Sequence, residues 1–213
     1  MLELGTKVLL SYLLGSVNGS LFLGSILGGP DIRTVGSGNA GGTNALRARG
    51  KWFALGVMLI DVGKGYVAAG LLPGLDLGLG APGIAAHWLP LACGAASVVG
   101  HCYPVWFDFT GGKGAATAVG ALGALAPGLL LPALAAWLLV ATTTGFVGLS
   151  TMAAAVVLPL FVLLAGQPGG PALLVFLVLL AAFIIYTHRG NVARMLRRQE
   201  NRMTSLMLLR RPR

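Results

Sequence analysis

Residues 115–140 read AATAVGALGALAPGLLLPALAAWLLV, and whether this run is one helix or two decides the topology of the whole chain. As a single helix it is about 39 Å long, more than a bilayer core needs but accommodated by tilt; as two, it turns around Ala126-Pro127-Gly128. Charge decides between them. The loop holding Arg33, Arg47, Arg49 and Lys51 and the tail after Tyr186 are both rich in cations. The positive-inside rule places both in the cytoplasm and so requires an even number of crossings between them. Four crossings are clear, at about residues 52–72, 84–100, 150–164 and 172–186. The disputed run must then cross twice. A first span at about residues 4–27 brings the total to seven transmembrane helices, with the amino terminus outside and the carboxyl terminus cytoplasmic. Pro127 and Pro132 support the break, because proline removes a helix hydrogen bond and favours first-turn positions.

Composition sets the solvent for these helices. With 56% hydrophobic and 10% charged residues in a chain of 213, and a mean hydropathy of +0.83, there are too few polar groups to cover a water-soluble surface. The expectation is an all-α integral membrane protein with a single polytopic domain over residues 1–213, ending in a basic cytoplasmic tail at about residues 188–213. The net charge of +9 sits in loops and in that tail, flanking apolar spans. This placement points to membrane lipid headgroups as the partner and not to nucleic acid. The first apolar run lacks a short core ending in an Ala-x-Ala-like site, so it reads as a retained span. Cys93 and Cys102, nine residues apart on one helix, are separated by about 13 Å, so a disulfide between them does not close. Six acidic residues are scattered along the chain with no zinc-like spacing of Cys and His, so no protein-held metal and no cofactor are expected.

The topology collects four polar clusters at one membrane face, residues 37–47, 101–117, 142–151 and 188–200. In the second, Gly111-Gly112-Lys113-Gly114 combines backbone amides that approach an anion closely with one ammonium group, a combination suited to a phosphate. In the first, the run from Val35 to Asn44 precedes a helix. It reads either as a flexible turn or as an anion site at a helix amino terminus. In the second case Ser37, Thr43 and the amides of Asn39 and Asn44 add donors around Gly38, and Arg47 grips a phosphate bidentately.

Two motif matches fail on context. Gly36-x-Gly38-x-x-Gly41 fits the dinucleotide fingerprint, with Asp61 twenty residues on. The segment before it, however, is an apolar span with no strand pattern, and Asp61 lies inside another span. The second match fails because Lys113 is followed by Gly114 in place of Ser or Thr and the first Walker glycine is missing.

Asp61 and Lys64 are ionisable groups within a span and therefore functional hypotheses. Three residues apart, they share a helix face, and a structural ion pair and a direct site role stand as alternatives. His188 ends the last helix, with Asn191 three residues on and on the same side. Arg194, Arg197, Arg198 and Arg202 read as anchors to anionic lipid.

Four motifs occur in order: Gly36-Ser37-Gly38-Asn39-x-Gly41-x-Thr43-Asn44; Asp61-x-x-Lys64-Gly65; Gly100-His101-x-x-Pro104 with Gly111-Gly112-Lys113-Gly114-x-Ala116-Thr117; and His188-Arg189-x-Asn191-x-x-Arg194. Together they resemble the bacterial acyl-phosphate:glycerol-3-phosphate acyltransferases, the PlsY family, over essentially the whole chain. The resemblance implies a seven-helix enzyme of the bacterial inner membrane, with its site at the cytoplasmic face. Such an enzyme moves a fatty acyl group from acyl phosphate to the 1-hydroxyl of glycerol 3-phosphate, giving lysophosphatidic acid and phosphate in the first step of phospholipid synthesis. It implies substrate-binding roles for Ser37, Gly38, Asn39, Thr43, Asn44, Arg47, Gly111, Gly112, Gly114 and Thr117, and catalytic roles for Lys113, His188 and Asn191. Two positions depart from the family pattern. Gly148-Leu149-Ser150-Thr151 stands where the family usually has a serine before Leu-x-Ser, which makes Ser150 and Thr151 the candidate substitutes. Arg198 stands where it usually has glycine.

Acyl phosphate is a mixed anhydride with a good leaving group, so the expected mechanism is direct attack by the glycerol hydroxyl. Lys113, Arg47 and the loop amides would neutralise phosphate charge. Either His188, assisted by Asn191, or a substrate phosphate is the base. A transporter for an anionic solute is the alternative from another class; it predicts polar residues continuing through the membrane midplane. A CDP-alcohol phosphotransferase would need clustered metal-binding aspartates, which this sequence lacks.

Overall fold

A computed structural model describes residues 1–166 and 169–208. Residues 209–213 of the basic tail lie outside the described residues. The chain is an all-helical membrane protein, and its packing forms two compact units, Met1–Pro127 and Gly128–Arg213.

The first unit contains α1 (Leu2–Gly15), α2 (Gly19–Leu27), α3 (Gly42–Tyr66), α4 (Trp88–Cys102) and α5 (Ala115–Leu125). α1 packs on α4, α2 on α3, and α3 on α5. Small residues let two of these pairs, α1 with α4 and α3 with α5, approach closely. A Cβ on Gly15 would strike the backbone of Ser97, and one on Gly100 the backbone of Tyr12; between α3 and α5, Gly65 meets Thr117 and Gly120 meets Val62 in the same way. In lipid, such close backbone approach replaces the hydrophobic drive that joins helices in water.

The first span is not the unbroken helix expected. α1 and α2 meet at a 52° bend, because Ser16, Asn18 and Ser20 give the backbone polar alternatives in the middle of an apolar run. Asn18 is extended and its side chain accepts from the amides of Ser20 and Leu21, capping α2. A break inside a span leaves backbone groups that lipid does not satisfy, and α3 satisfies them. Lys64 Nζ donates to Val17 O at 2.9 Å, and Asp61 Oδ1 accepts from Gly19 N at 2.9 Å.

The second span also begins earlier than expected. α3 starts at Gly42, ahead of the apolar run, because Ala45-Leu46-Arg47-Ala48-Arg49 is made of strong helix formers. Gly50, at φ 83°, interrupts it before the apolar part begins. Arg47 is thus a helical residue and not a loop residue.

The run 115–140 divides into two helices. α5 ends at Leu125, a 3₁₀ turn covers Pro127–Leu129, and α6 runs over Leu130–Thr144. The second unit continues with α7 (Val147–Leu164), α8 (Gly170–Thr187) and the short α9 (Arg189–Leu196). α7 packs between α6 and α8, and α9 lies against both α7 and α8. Among the described residues, four helices are long and apolar enough to cross a membrane: Gly42–Gly74, Pro127–Thr144, Val147–Leu164 and Gly170–Thr187. The bent α1–α2 pair adds a fifth. α4, with 15 residues, and α5, with 11, are shorter.

Candidate active site

In the first unit the two glycine-rich segments are built against each other. Asp31 caps a 3₁₀ turn at Ile32–Thr34, its Oδ1 accepting from Arg33 N at 2.9 Å. The Arg33 guanidinium grips the same carboxylate, with Nη2 2.7 Å from Oδ2. Arg33 Nη1 then donates to Phe107 O at 3.0 Å and Thr110 O at 3.3 Å, lacing the first loop to the second. The hydrogen bond from Arg33 holds the Asp31 carboxyl below its ordinary range, so this clamp is ionised at neutral pH.

Asn44 closes the first loop from inside. It is buried. Its Oδ1 accepts from Ser37 N at 2.9 Å, while its Nδ2 donates to Ile32 O at 3.0 Å and Val35 O at 2.9 Å. Gly36 turns at φ 60°, where a Cβ would collide with that Oδ1. Asn44 therefore frames the loop. Ser37, Asn39 and Thr43 stay half-buried on it, and Gly38 and Arg47 are exposed.

The second segment leaves α4 and folds back on its end. Gly111 N donates to Cys102 O and Gly112 N to His101 O, both at 3.1 Å. Neither position tolerates a side chain: a Cβ on Gly111 would strike His101 O, and one on Gly112 would strike His101 Nε2 and lie 2.8 Å from Ala40 O. Gly114, at φ 86°, is the N-cap of α5, so Lys113, half-buried, stands immediately before a helix amino terminus. Thr117 is fully buried one turn into α5, where its backbone meets Gly65 of α3. That places its side chain among the packing residues.

Asp61 and Lys64 form an ion pair, at 2.9 Å and almost wholly buried. The sequence does not reveal its third member. His101 Nδ1 lies 3.0 Å from Lys64 Nζ and 3.3 Å from Asp61 Oδ1.

In the second unit the structure joins residues 142–151 to residues 188–200. His188, buried where α8 gives way to α9, has its Nδ1 2.8 Å from Ile184 O. A carbonyl only accepts, so Nδ1 carries the proton and Nε2 the basic lone pair of the neutral ring. Asn191, also buried, donates through Nδ2 to Glu200 Oε1 at 2.9 Å, and Arg194 Nε donates to Glu200 Oε2 at 2.7 Å. Gly148 packs directly on Asn191, since a Cβ there would lie 2.7 Å from Asn191 Nδ2. The hydroxyls of Ser150 and Thr151 donate to Phe146 O and Val147 O of their own helix.

Glu200, which sequence reasoning did not single out, is the partner that holds Asn191 and Arg194 together. It reaches Asn191 because Arg198 turns the chain at φ 58°, a left-handed conformation that favours glycine. Beyond it the tail returns to the α6–α7 turn, with Met203 N donating to Gly145 O at 2.8 Å and Arg202 stacked over the Phe146 ring.

Comparison with known proteins shows the family and the fold. The family profile Glycerol-3-phosphate acyltransferase matches residues 6–198. A glycerol-3-phosphate acyltransferase of Salinibacter ruber is 39% identical, over 96% of this chain and 94% of the relative. Two crystal structures of PlsY (YgiH), an integral membrane glycerol 3-phosphate acyltransferase, share the fold. The glycerol 3-phosphate form has a TM-score of 0.82 and 36% identity, covering 95% of this chain and 96% of that one. The lysophosphatidic acid form has a TM-score of 0.81 and 35% identity, covering 97% and 99%. The chain belongs to the glycerol-3-phosphate acyltransferase family.

Proposed function

We propose that this chain transfers a fatty acyl group from acyl phosphate to the 1-hydroxyl of glycerol 3-phosphate, forming lysophosphatidic acid and inorganic phosphate. The observation that carries the reading is the turn at residues 111–114. It is backbone-fixed on His101 and Cys102, bears Lys113, and opens into α5, whose first intrahelical bond is Ala118 N to Gly114 O. The amides of Ala115, Ala116 and Thr117 precede that bond and face the helix start, where an anion is favoured.

The glycerol 1-hydroxyl oxygen attacks the carbonyl carbon of the mixed anhydride. The bond from that carbon to the phosphate oxygen breaks, and phosphate leaves with the electron pair. Lys113, Arg47 and the loop amides neutralise charge on the phosphates, which is where preorganised electrostatics lower the barrier. Ser37, Gly38, Asn39 and Thr43 offer further donors from the first loop, with Asn44 holding that loop in shape. His188 takes the hydroxyl proton at Nε2, and Asn191, fixed by Glu200, orients the hydroxyl. The cation-rich loop and tail support seven crossings with this chemistry at the cytoplasmic face of a bacterial plasma membrane.

The test is a donor assay on purified full-length protein in lipid, with radiolabelled glycerol 3-phosphate and either palmitoyl phosphate or palmitoyl-CoA. Labelled lysophosphatidic acid from palmitoyl phosphate alone is the expected result. Product formed only from palmitoyl-CoA would overturn the assignment of the donor.

A further inference from the structure

Lys64 Nζ has three acceptors around it: Val17 O at 2.9 Å, Asp61 Oδ1 at 2.9 Å and His101 Nδ1 at 3.0 Å. An ammonium group has three protons, so each is placed. Asp61 Oδ1 already accepts from Gly19 N and from Lys64, both at 2.9 Å. Its 3.3 Å approach to His101 is the longer contact. His101 therefore accepts at Nδ1 and carries its own proton on Nε2. That edge of the ring lies against Gly112, and the space beside it is bounded by Ala40 O of the first loop. Ala40 O in turn accepts from Asn18 Nδ2, the cap of the broken span, at 3.1 Å. One buried cluster thus touches both glycine-rich segments and the bend between α1 and α2.

A buried ion pair is a poor source of stability, because well-packed apolar residues of the same volume serve as well or better. What it supplies is direction. We propose that Asp61, Lys64 and His101 form a positioning triad that sets the spacing between the turn at residues 111–114 and the first loop at Ala40. Affinity for a phosphate is then governed by side chains that do not touch it. The proposal rests on the reading of residues 111–114 as a phosphate cradle, and not on the identity of the acyl donor.

Two substitutions separate positioning from packing. His101→Asn keeps an acceptor near the Nδ1 position for Lys64 and deletes the ring edge at Gly112. His101→Gln places an amide near the Nε2 position and removes the acceptor for Lys64. The full-length variants in lipid are titrated calorimetrically with glycerol 3-phosphate and with inorganic phosphate, and their melting temperatures and kcat and KM are measured. His101→Asn is expected to melt like wild type yet to weaken Kd for at least one of the two anions about tenfold or more, with KM rising in parallel and kcat little changed. His101→Gln is expected to recover affinity while melting lower. Unchanged Kd in both variants, with melting alone lowered, would show a purely structural cluster and overturn the proposal. Failure of wild type to bind either anion would overturn it too. Wild type that binds glycerol 3-phosphate without using palmitoyl phosphate would remove the donor assignment and leave the triad to be judged on Kd.

Discussion

Asn191 Nδ2 and Glu200 Oε1 are 2.9 Å apart, across a turn of chain that brings the tail back onto α9. The other Glu200 oxygen is held by Arg194, so the carboxylate fixes Asn191 from a rigid base. Glu200→Gln keeps an acceptor for Asn191 but removes the charge that Arg194 and Asn191 share. A hydrogen bond to a charged group contributes about 1.5–3 kcal/mol, so the variant should melt lower, and turnover should fall as Asn191 loses its fixed orientation. Thermal melts and steady-state rates on the same preparation check both. Unchanged turnover would detach Asn191 from the chemistry.

The turn that delivers Glu200 carries a built-in cost. Arg198 sits at φ 58°, a conformation that costs an L-residue roughly 1–2 kcal/mol, partly offset in a glycine variant by its freer unfolded chain. Arg198→Gly should stabilise the protein by about 0.5–1 kcal/mol and leave turnover intact, as read by thermal or denaturant unfolding. Destabilisation would mean that the Arg198 side chain contributes more than its backbone strain removes.

How much of this was legible beforehand follows the distance between partners. The break at Ala126 and the turn at residues 111–114 before a helix start are written in local Gly and Pro placement, and both appear where the sequence puts them. The bend at Asn18 had a local signal, the polar residues 16–20 inside an apolar run, but its stabilising partners Asp61 and Lys64 lie more than a helix away in the chain. Asn44 shows the complementary difficulty. Its type and place fit an anion ligand and a loop frame equally well, and only the acceptors Ile32 O and Val35 O and the donor Ser37 N decide between them. Glu200 closes the polar cluster 188–200, but its pairing with Asn191 depends on a left-handed turn at an arginine.

Gly148 leaves no room for a side chain: the space one would take is filled by Asn191, whose Cγ lies 2.9 Å from the position of an added Cβ. Gly148→Ala should displace Asn191 from Glu200, cost about 1–3 kcal/mol of stability through overpacking, and lower kcat more than it raises KM. A melt and a kinetic series with glycerol 3-phosphate as the varied substrate test this. Wild-type kcat would show that Asn191 tolerates the shift.

His188→Ala separates the two candidate bases. With Nδ1 committed to Ile184 O, Nε2 is the nitrogen that accepts a proton, and general base catalysis contributes about 10²–10⁴-fold. A loss of that size in kcat with palmitoyl phosphate supports His188 as the base. Near-wild-type turnover would transfer that role to a substrate phosphate.

The central claim is that residues 111–114, with Lys113 at the start of α5, bind and neutralise a substrate phosphate. It is tested most directly by kcat/KM of Lys113→Ala, measured with palmitoyl phosphate and glycerol 3-phosphate on protein whose melting temperature matches wild type. Loss of one preorganised charge-stabilising donor predicts a fall of about 10²–10³-fold. A kcat/KM within a few-fold of wild type would contradict the claim.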